Sequence, residues 1–261
     1  MDRSVLPTRS KPPTRSKPPI RSRPPTRRKA ESGPDSTRRR TLKLLGMTVG
    51  AGLMLPRAAF AQDTSSLIGE DDICVLTPAS TEGPYYFDPG LERRDITEGK
   101  PGARLDLALQ IVDDQCRPIV GARADIWHCD AGGLYSNYPG QGDDRRTSTQ
   151  GETFLRGTQF SDETGVVHFD TIYPGWYPGR TPHIHCMIYL EQQKALTGQL
   201  FFPDDVSLAL YRNRAPYNQR PNPTVLNAND GIARRAGSAA LAQIAEMDMG
   251  FDASLVIGVA G

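Results

Sequence analysis

Cysteine, histidine and tryptophan are scarce in this 261-residue chain, at four, four and two copies, and aromatic residues make up only 7% of it. None of the cysteines stands in a CxxC or similar spacing, which disfavours a cysteine-based zinc site. Long apolar runs are missing as well. An uncharged stretch near the N-terminus, residues 44–55, has twelve residues interrupted by Gly46, Gly50 and Gly52, well below the about 20 apolar residues that span a bilayer. A transmembrane anchor is therefore disfavoured.

An excess of one charge sign is also absent overall, since the formal net charge is +1, but the average hides a reversal. Residues 1–61 carry 15 of the 31 Lys and Arg and 3 of the 30 Asp and Glu, a net of +12; residues 62–261 carry 16 basic and 27 acidic residues, a net of −11. Two segments with different fates are implied. Residues 7–30 are four hexamers in register, PTRSKP, PTRSKP, PIRSRP and PTRRKA. Rich in Pro, Arg and Lys and poor in apolar side chains, residues 1–35 cannot bury a core and are expected to be disordered. Residues 36–61 then run from a basic stretch with Arg38 and Arg39 through the short apolar stretch to Ala59-Phe60-Ala61. That order resembles a twin-arginine export signal cleaved near Ala61. The expected product is an exported, periplasmic or secreted domain over 62–261, with no stable membrane anchor and, given its acidic balance, no nucleic-acid partner. All four cysteines (74, 116, 129 and 186) fall in that domain. Disulfides are permitted there, and three complete pairings are open.

Periodicity in the exported part is that of strands. In RLDLALQIVD (104–113), Leu105, Leu107, Leu109 and Ile111 alternate with polar or small residues, the pattern of a half-buried strand. Further strands are expected over 119–127, 153–160, 166–172, 183–190, 199–202 and 253–259, each bounded by Gly, Pro, Asn or Asp. Residues 205–212 are expected to give one or two helical turns, and 239–247 reads as either helix or strand. Short strands with no long amphipathic helix between them point to an all-β, antiparallel β-sandwich with short helices in loops.

Two passages carry chemistry. The first, WHCDAGGLYS (127–136), is a strand entering a glycine-rich loop that bears Tyr135; the second, YPGWYPGRTPHIH (173–185), ends in His183 and His185. On a strand, residues two apart share a face, so the two imidazoles form a ready metal pair. With no Cys or carboxylate suitably placed, the phenols of Tyr135 and Tyr177 are the expected anionic ligands, with Tyr173 as a rival to Tyr177. A phenol with a reference pKa of about 10 ligates as phenolate only to a strong Lewis acid, and a hard trivalent cation such as Fe(3+) suits that oxygen better than zinc does. Taken alone, an HxH pair is also compatible with plain surface or core histidines.

With these motifs, the chain resembles the intradiol ring-cleaving dioxygenases. The matching stretches, in the family's order, are TEGPYYF (81–87), DAGGLYS (130–136), LRG (155–157), TIYPGWYP (171–178), RTPHIH (180–185) and LTGQLFF (196–202). The resemblance implies a transthyretin- or Ig-like sandwich core and one Fe(3+) held by Tyr135, Tyr177, His183 and His185. It also implies O2-dependent ring opening of a catechol-type substrate to a cis,cis-muconate-type diacid. In that scheme Tyr177 leaves the metal as substrate binds and takes a proton, Arg180 stabilises developing negative charge, and Gln199 is its partner. A homodimer is the assembly the resemblance allows, and the acidic domain favours an uncharged catechol. Unlike the family's best-known members, the chain has only five residues between Tyr177 and His183, and it has Cys129, which could brace the Tyr135 loop through a disulfide. His128 and His168 are expected to be structural and exposed, respectively. Two other classes stay open: a non-catalytic transthyretin-like binding module, and a zinc hydrolase using His183 and His185.

Overall fold

The computed structural model describes residues 66–67 and 75–260, all within one compact unit, Ala59–Gly261. The readings made on the repeat, the export signal and Cys74 lie outside the described residues. Among the described residues, no helix is long and apolar enough to cross a membrane.

Eight strands form two four-stranded sheets: β1 (Arg104–Val112), β2 (Arg123–Trp127), β3 (Arg156–Phe160), β4 (Val166–Ile172), β5 (His183–Leu190), β6 (Gln193–Phe201), β7 (Gln243–Met247) and β8 (Gly250–Gly258). One sheet is ordered β4-β1-β8-β7 and the other β3-β2-β5-β6. The expected sandwich is present, and β4 and β5 match the expected ranges. The antiparallel expectation has one exception, because β1 and β8 run parallel in register from Arg104↔Gly250 to Val112↔Gly258. A parallel neighbour needs a long crossover, and residues 113–249, which hold β2 to β7 and both helices, supply it.

The core lies between the sheets. Leu105, Leu107, Leu109 and Ile111 of β1 face Ile126 of β2, Ile184 and Ile188 of β5 and Leu200 of β6, all buried in one cluster. Burial contributes about 1.5–3 kcal/mol per such side chain. Helix α1 (Asp204–Asn213) is longer than the one or two turns expected; Asp204 and Asp205 in its first turn and Arg212 in its last complement its dipole, and Leu210 and Tyr211 anchor it to the core. The ambiguous 239–247 segment resolves into a short 3-10 turn, Gly237–Ala240, and strand β7. Leu241, Ile244 and Met247 recur every third residue there but mark no buried face, since Leu241 and Met247 are exposed. Pairing with β8 decides the conformation. Helix α2 (Gly231–Ala236) is capped by Asp230, which accepts from the N–H of Ile232 and Ala233.

Candidate metal centre

The centre stands on the face of the β3-β2-β5-β6 sheet that points away from the core. Strand alternation sends Ile184, Cys186 and Ile188 inward and His183 and His185 to the other side. There, loops cover them so completely that His183 and His185 are 2% and 1% exposed.

Each loop has a local reason for its course. After β2, Asp130 accepts hydrogen bonds from Gly132 N–H and Leu134 N–H through Oδ1, while its backbone N–H donates to the Leu134 carbonyl. This tight turn delivers Tyr135, whose N–H donates to Gln141 Oε1 at 2.7 Å and whose carbonyl accepts from Thr149 Oγ1 at 2.6 Å. Gly175 is required opposite: a Cβ there would come within 2.3 Å of the Asp130 carbonyl oxygen. Trp176 Nε1 donates to the Arg220 carbonyl, which fixes the turn that presents Tyr177.

The four expected ligands converge. Tyr135 Oη lies 3.4 Å, Tyr177 Oη 3.2 Å and His185 Nε2 3.2 Å from His183 Nε2. Arg180 Nη1 is 3.4 Å from the same atom. His183 Nδ1 donates to the Thr181 carbonyl at 2.6 Å, which leaves its Nε2 lone pair directed into the cluster. His183 Nε2 has a single lone pair, so only one of the surrounding N–H and O–H groups can donate to it. A cation among these atoms would engage the imidazole and phenol donors together. Burial, and then the Arg180 charge, press His183 down to about 3; burial, and then His183, hold His185 well below its usual value. Both rings are therefore neutral and available as ligands. Burial raises the Tyr135 phenol well above its ordinary range and pushes Tyr177 up to about 12 against the opposing pull of Arg180. Neither phenol ionises unless positive charge arrives. Among the described residues there is no group of three or more His, Cys, Asp or Glu that could hold a metal, so the oxygen donors beside this pair are phenols.

Arg180 and Gln199 lie beside the cluster and bond each other. Arg180 Nη2 donates to Gln199 Oε1 at 2.6 Å, and Gln199 Nε2 donates to the Thr81 carbonyl at 2.9 Å. The rival phenol is elsewhere: Tyr173 is fully buried in the core and shares a hydrogen bond with Ser207. His128 is structural, with Nδ1 against the Cys129 carbonyl and Nε2 against Thr171 Oγ1. His168 is half-buried on β4, in the other sheet, and not fully exposed. The disulfide brace at Cys129 is corrected: Cys129 and Cys186 are free and buried, and the Cys129 thiol donates to the Gly175 carbonyl. Cys116 is disulfide-bonded.

Several site residues were not foreseen. Asp230 accepts from Arg180 Nε at 2.8 Å and from Thr181 N–H, so one buried carboxylate aims both the arginine and the start of β5. Burial opposes its charge, yet Arg180 and these N–H groups hold its carboxyl below the usual range. Tyr85 stacks on Tyr135 with ring centroids 4.5 Å apart, and Trp127 stacks on His185 at 4.8 Å with planes 9° apart. Beside Tyr177 and Tyr85, a cleft of about 470 Å³ opens along Gly140, Asp143, Arg145 and Arg220.

A family model described as "Dioxygenase" matches residues 81–219. An intradiol ring-cleavage dioxygenase from Tetranychus urticae is 35% identical, with a TM-score of 0.65 over 72% of this chain and 95% of that one. The dioxygenase domain of a dioxygenase carbohydrate-binding protein fusion from Streptomyces sp. SirexAA-E is 27% identical, with a TM-score of 0.52 over 70% and 97%. Catechol 1,2-dioxygenase of Acinetobacter baylyi is 25% identical over 186 residues, which are 61% of this chain and 58% of the relative. This chain thus matches little more than half the length of that curated relative.

Proposed function

Since the chain belongs to the intradiol ring-cleavage dioxygenase family, we propose that it opens the ring of a catechol-type substrate with O2, using one Fe(3+) held by Tyr135, Tyr177, His183 and His185. The convergence of two neutral imidazoles and two phenols around His183 Nε2 carries the reading. Bound there, ferric iron would ionise the phenols and draw electron density from a chelated catechol toward reaction with O2.

The chain's own residues divide the remaining work. Tyr177 is the less buried of the two phenols and borders the cleft, so its oxygen is the one an entering catechol would meet. Tyr177 would then take a proton from a catechol hydroxyl and serve as the general base. Tyr135, 1% exposed and fixed at both ends of its backbone unit, stays in place. Arg180 is held by Asp230 and Gln199 with Nη1 turned toward the cluster; its charge stabilises the negative charge that builds on substrate as the ring is attacked. Trp127 and Tyr85 close the site against water by stacking on His185 and Tyr135.

The overall step balances: catechol and O2 combine, the bond between the two hydroxylated carbons breaks, and both oxygen atoms end in a cis,cis-muconate-type diacid. Within the same proposal, residues 1–61 act as a leader and the domain over 62–261 is exported, a reading supported by Arg38-Arg39 and Ala59-Phe60-Ala61. Oxygen uptake by iron-loaded protein over a panel of catechols, with products weighed by mass spectrometry, tests the activity. A product heavier than its catechol by two oxygen atoms is expected, and no uptake with any catechol would refute the reading.

A further inference from the structure

Behind the four convergent side chains lies an arginine that the mechanism above does not use. Across the sheet, Arg156 of β3 pairs in register with Trp127 of β2, which pairs with His185 of β5, which pairs with Gln199 of β6. Arg156 therefore shares one cross-strand row with a candidate ligand and its stacking partner. It is 1% exposed. A buried guanidinium ordinarily has a carboxylate beside it, because burying an unpaired charge is costly. Among the described residues, no ion pair involves Arg156. Its Nε donates to Ser136 Oγ at 2.7 Å and its Nη2 to the Ser136 carbonyl at 3.0 Å, while Nη1 is buried without a hydrogen-bond partner. The guanidinium lies over the Phe87 ring at 4.4 Å. Burial brings it down to about 10, and the groups that offset this are the phenols of Tyr138, Tyr135 and Tyr86.

Ser136 directly follows Tyr135, so two of the three nitrogens grip the residue beside a candidate ligand. Resting on the function proposed above, we infer that Arg156 is a positioning residue for Tyr135 and sets the electrostatic potential around it. Its two hydrogen bonds fix the Tyr135–Ser136 backbone, and its positive charge, with no carboxylate beside it to screen it, acts on the dry layer that holds the Tyr135 ring. A nearby positive charge also lowers the energy of the phenolate's donor electrons and so sets the tyrosinate-to-iron absorption band.

Iron-loaded wild-type, R156M and R156K proteins separate the two roles, with the visible spectrum and iron affinity against a ferric chelator as readouts. R156M removes grip and charge; its band should move to longer wavelength, and its iron affinity should fall about 10- to 100-fold, as when other partners of metal ligands are lost. R156K keeps the charge but loses the two-pronged grip, so its band should stay at the wild-type wavelength while its affinity falls. A merely structural arginine would lower stability without moving the band. An R156M band and iron affinity equal to wild type overturn the inference. Should R156M fail to fold, R156K decides, and either a displaced band or unchanged affinity in it overturns the inference. A wild-type protein that takes up no iron overturns the proposed function instead, so the two failures are distinguishable.

Discussion

Along β5, Ile184, Cys186 and Ile188 point into the sandwich while His183, His185 and Met187 point away from it, and none of the six is more than 2% exposed. The inner three are covered by another sheet through hydrocarbon contacts. The outer three are covered by loops that bring phenols, a guanidinium and hydrogen bonds. Similar dryness thus serves two ends. On the inner face it is the source of stability, whereas on the outer face it keeps the imidazoles neutral and the phenols protonated until a cation compensates.

Substitutions on the two faces should break in different ways. The largest effect is expected for His185→Ala, which removes a proposed ligand: iron content and oxygen uptake should fall by more than the about 100-fold that losing an outer partner of a ligand costs. Calorimetry of the metal-free proteins should show its melting temperature near that of wild type. Ile188→Ala on the opposite face of the same strand should do the reverse, costing about 2–5 kcal/mol in denaturant unfolding with iron content per folded molecule retained. Equal stability losses from both would erase the distinction between the faces.

A smaller effect is expected of Asp230→Asn, which keeps the shape but removes the charge that holds Arg180. Turnover should drop about tenfold or more with iron still bound, and steady-state kinetics beside iron analysis checks this.

The mildest test concerns pH and a histidine outside the centre. Burial brings His128 down to about 4 from an ordinary value of about 6.5. Because the unfolded chain binds that proton first, stability is complete above about pH 6.5 and declines as pH falls toward 4, by about 3 kcal/mol in all. His128→Gln should flatten unfolding free energy against pH in that window, and an unchanged slope would assign the loss to other groups.

The same contrast explains what could be read from sequence. Inner-face positions repeat every second residue and are hydrophobic, so β1, β4 and β5 were legible in Leu105 to Ile111, Val166 to Ile172 and His183 to Leu190. His183 and His185 were legible because their spacing of two means one face in any strand. Asp230 and Arg156 were not legible as site residues: they reach the centre through contacts 50 and 20 residues away in sequence, which no local period records. The LRG motif contains Arg156 but says nothing of its missing carboxylate. Cys129 misled for a related reason, because permission to form a disulfide depends on compartment and pairing depends on distance. The parallel β1–β8 pair was hidden by the long excursion before β8.

Metal analysis and visible absorption of the purified protein, beside Tyr135→Phe and Tyr177→Phe, decide whether two phenols and two imidazoles on the outer face hold ferric iron. One iron per chain is expected, with a tyrosinate-to-iron band that shifts or disappears in each variant. A folded, colourless wild type that contains zinc or no metal, or a band unchanged in both variants, would contradict that expectation.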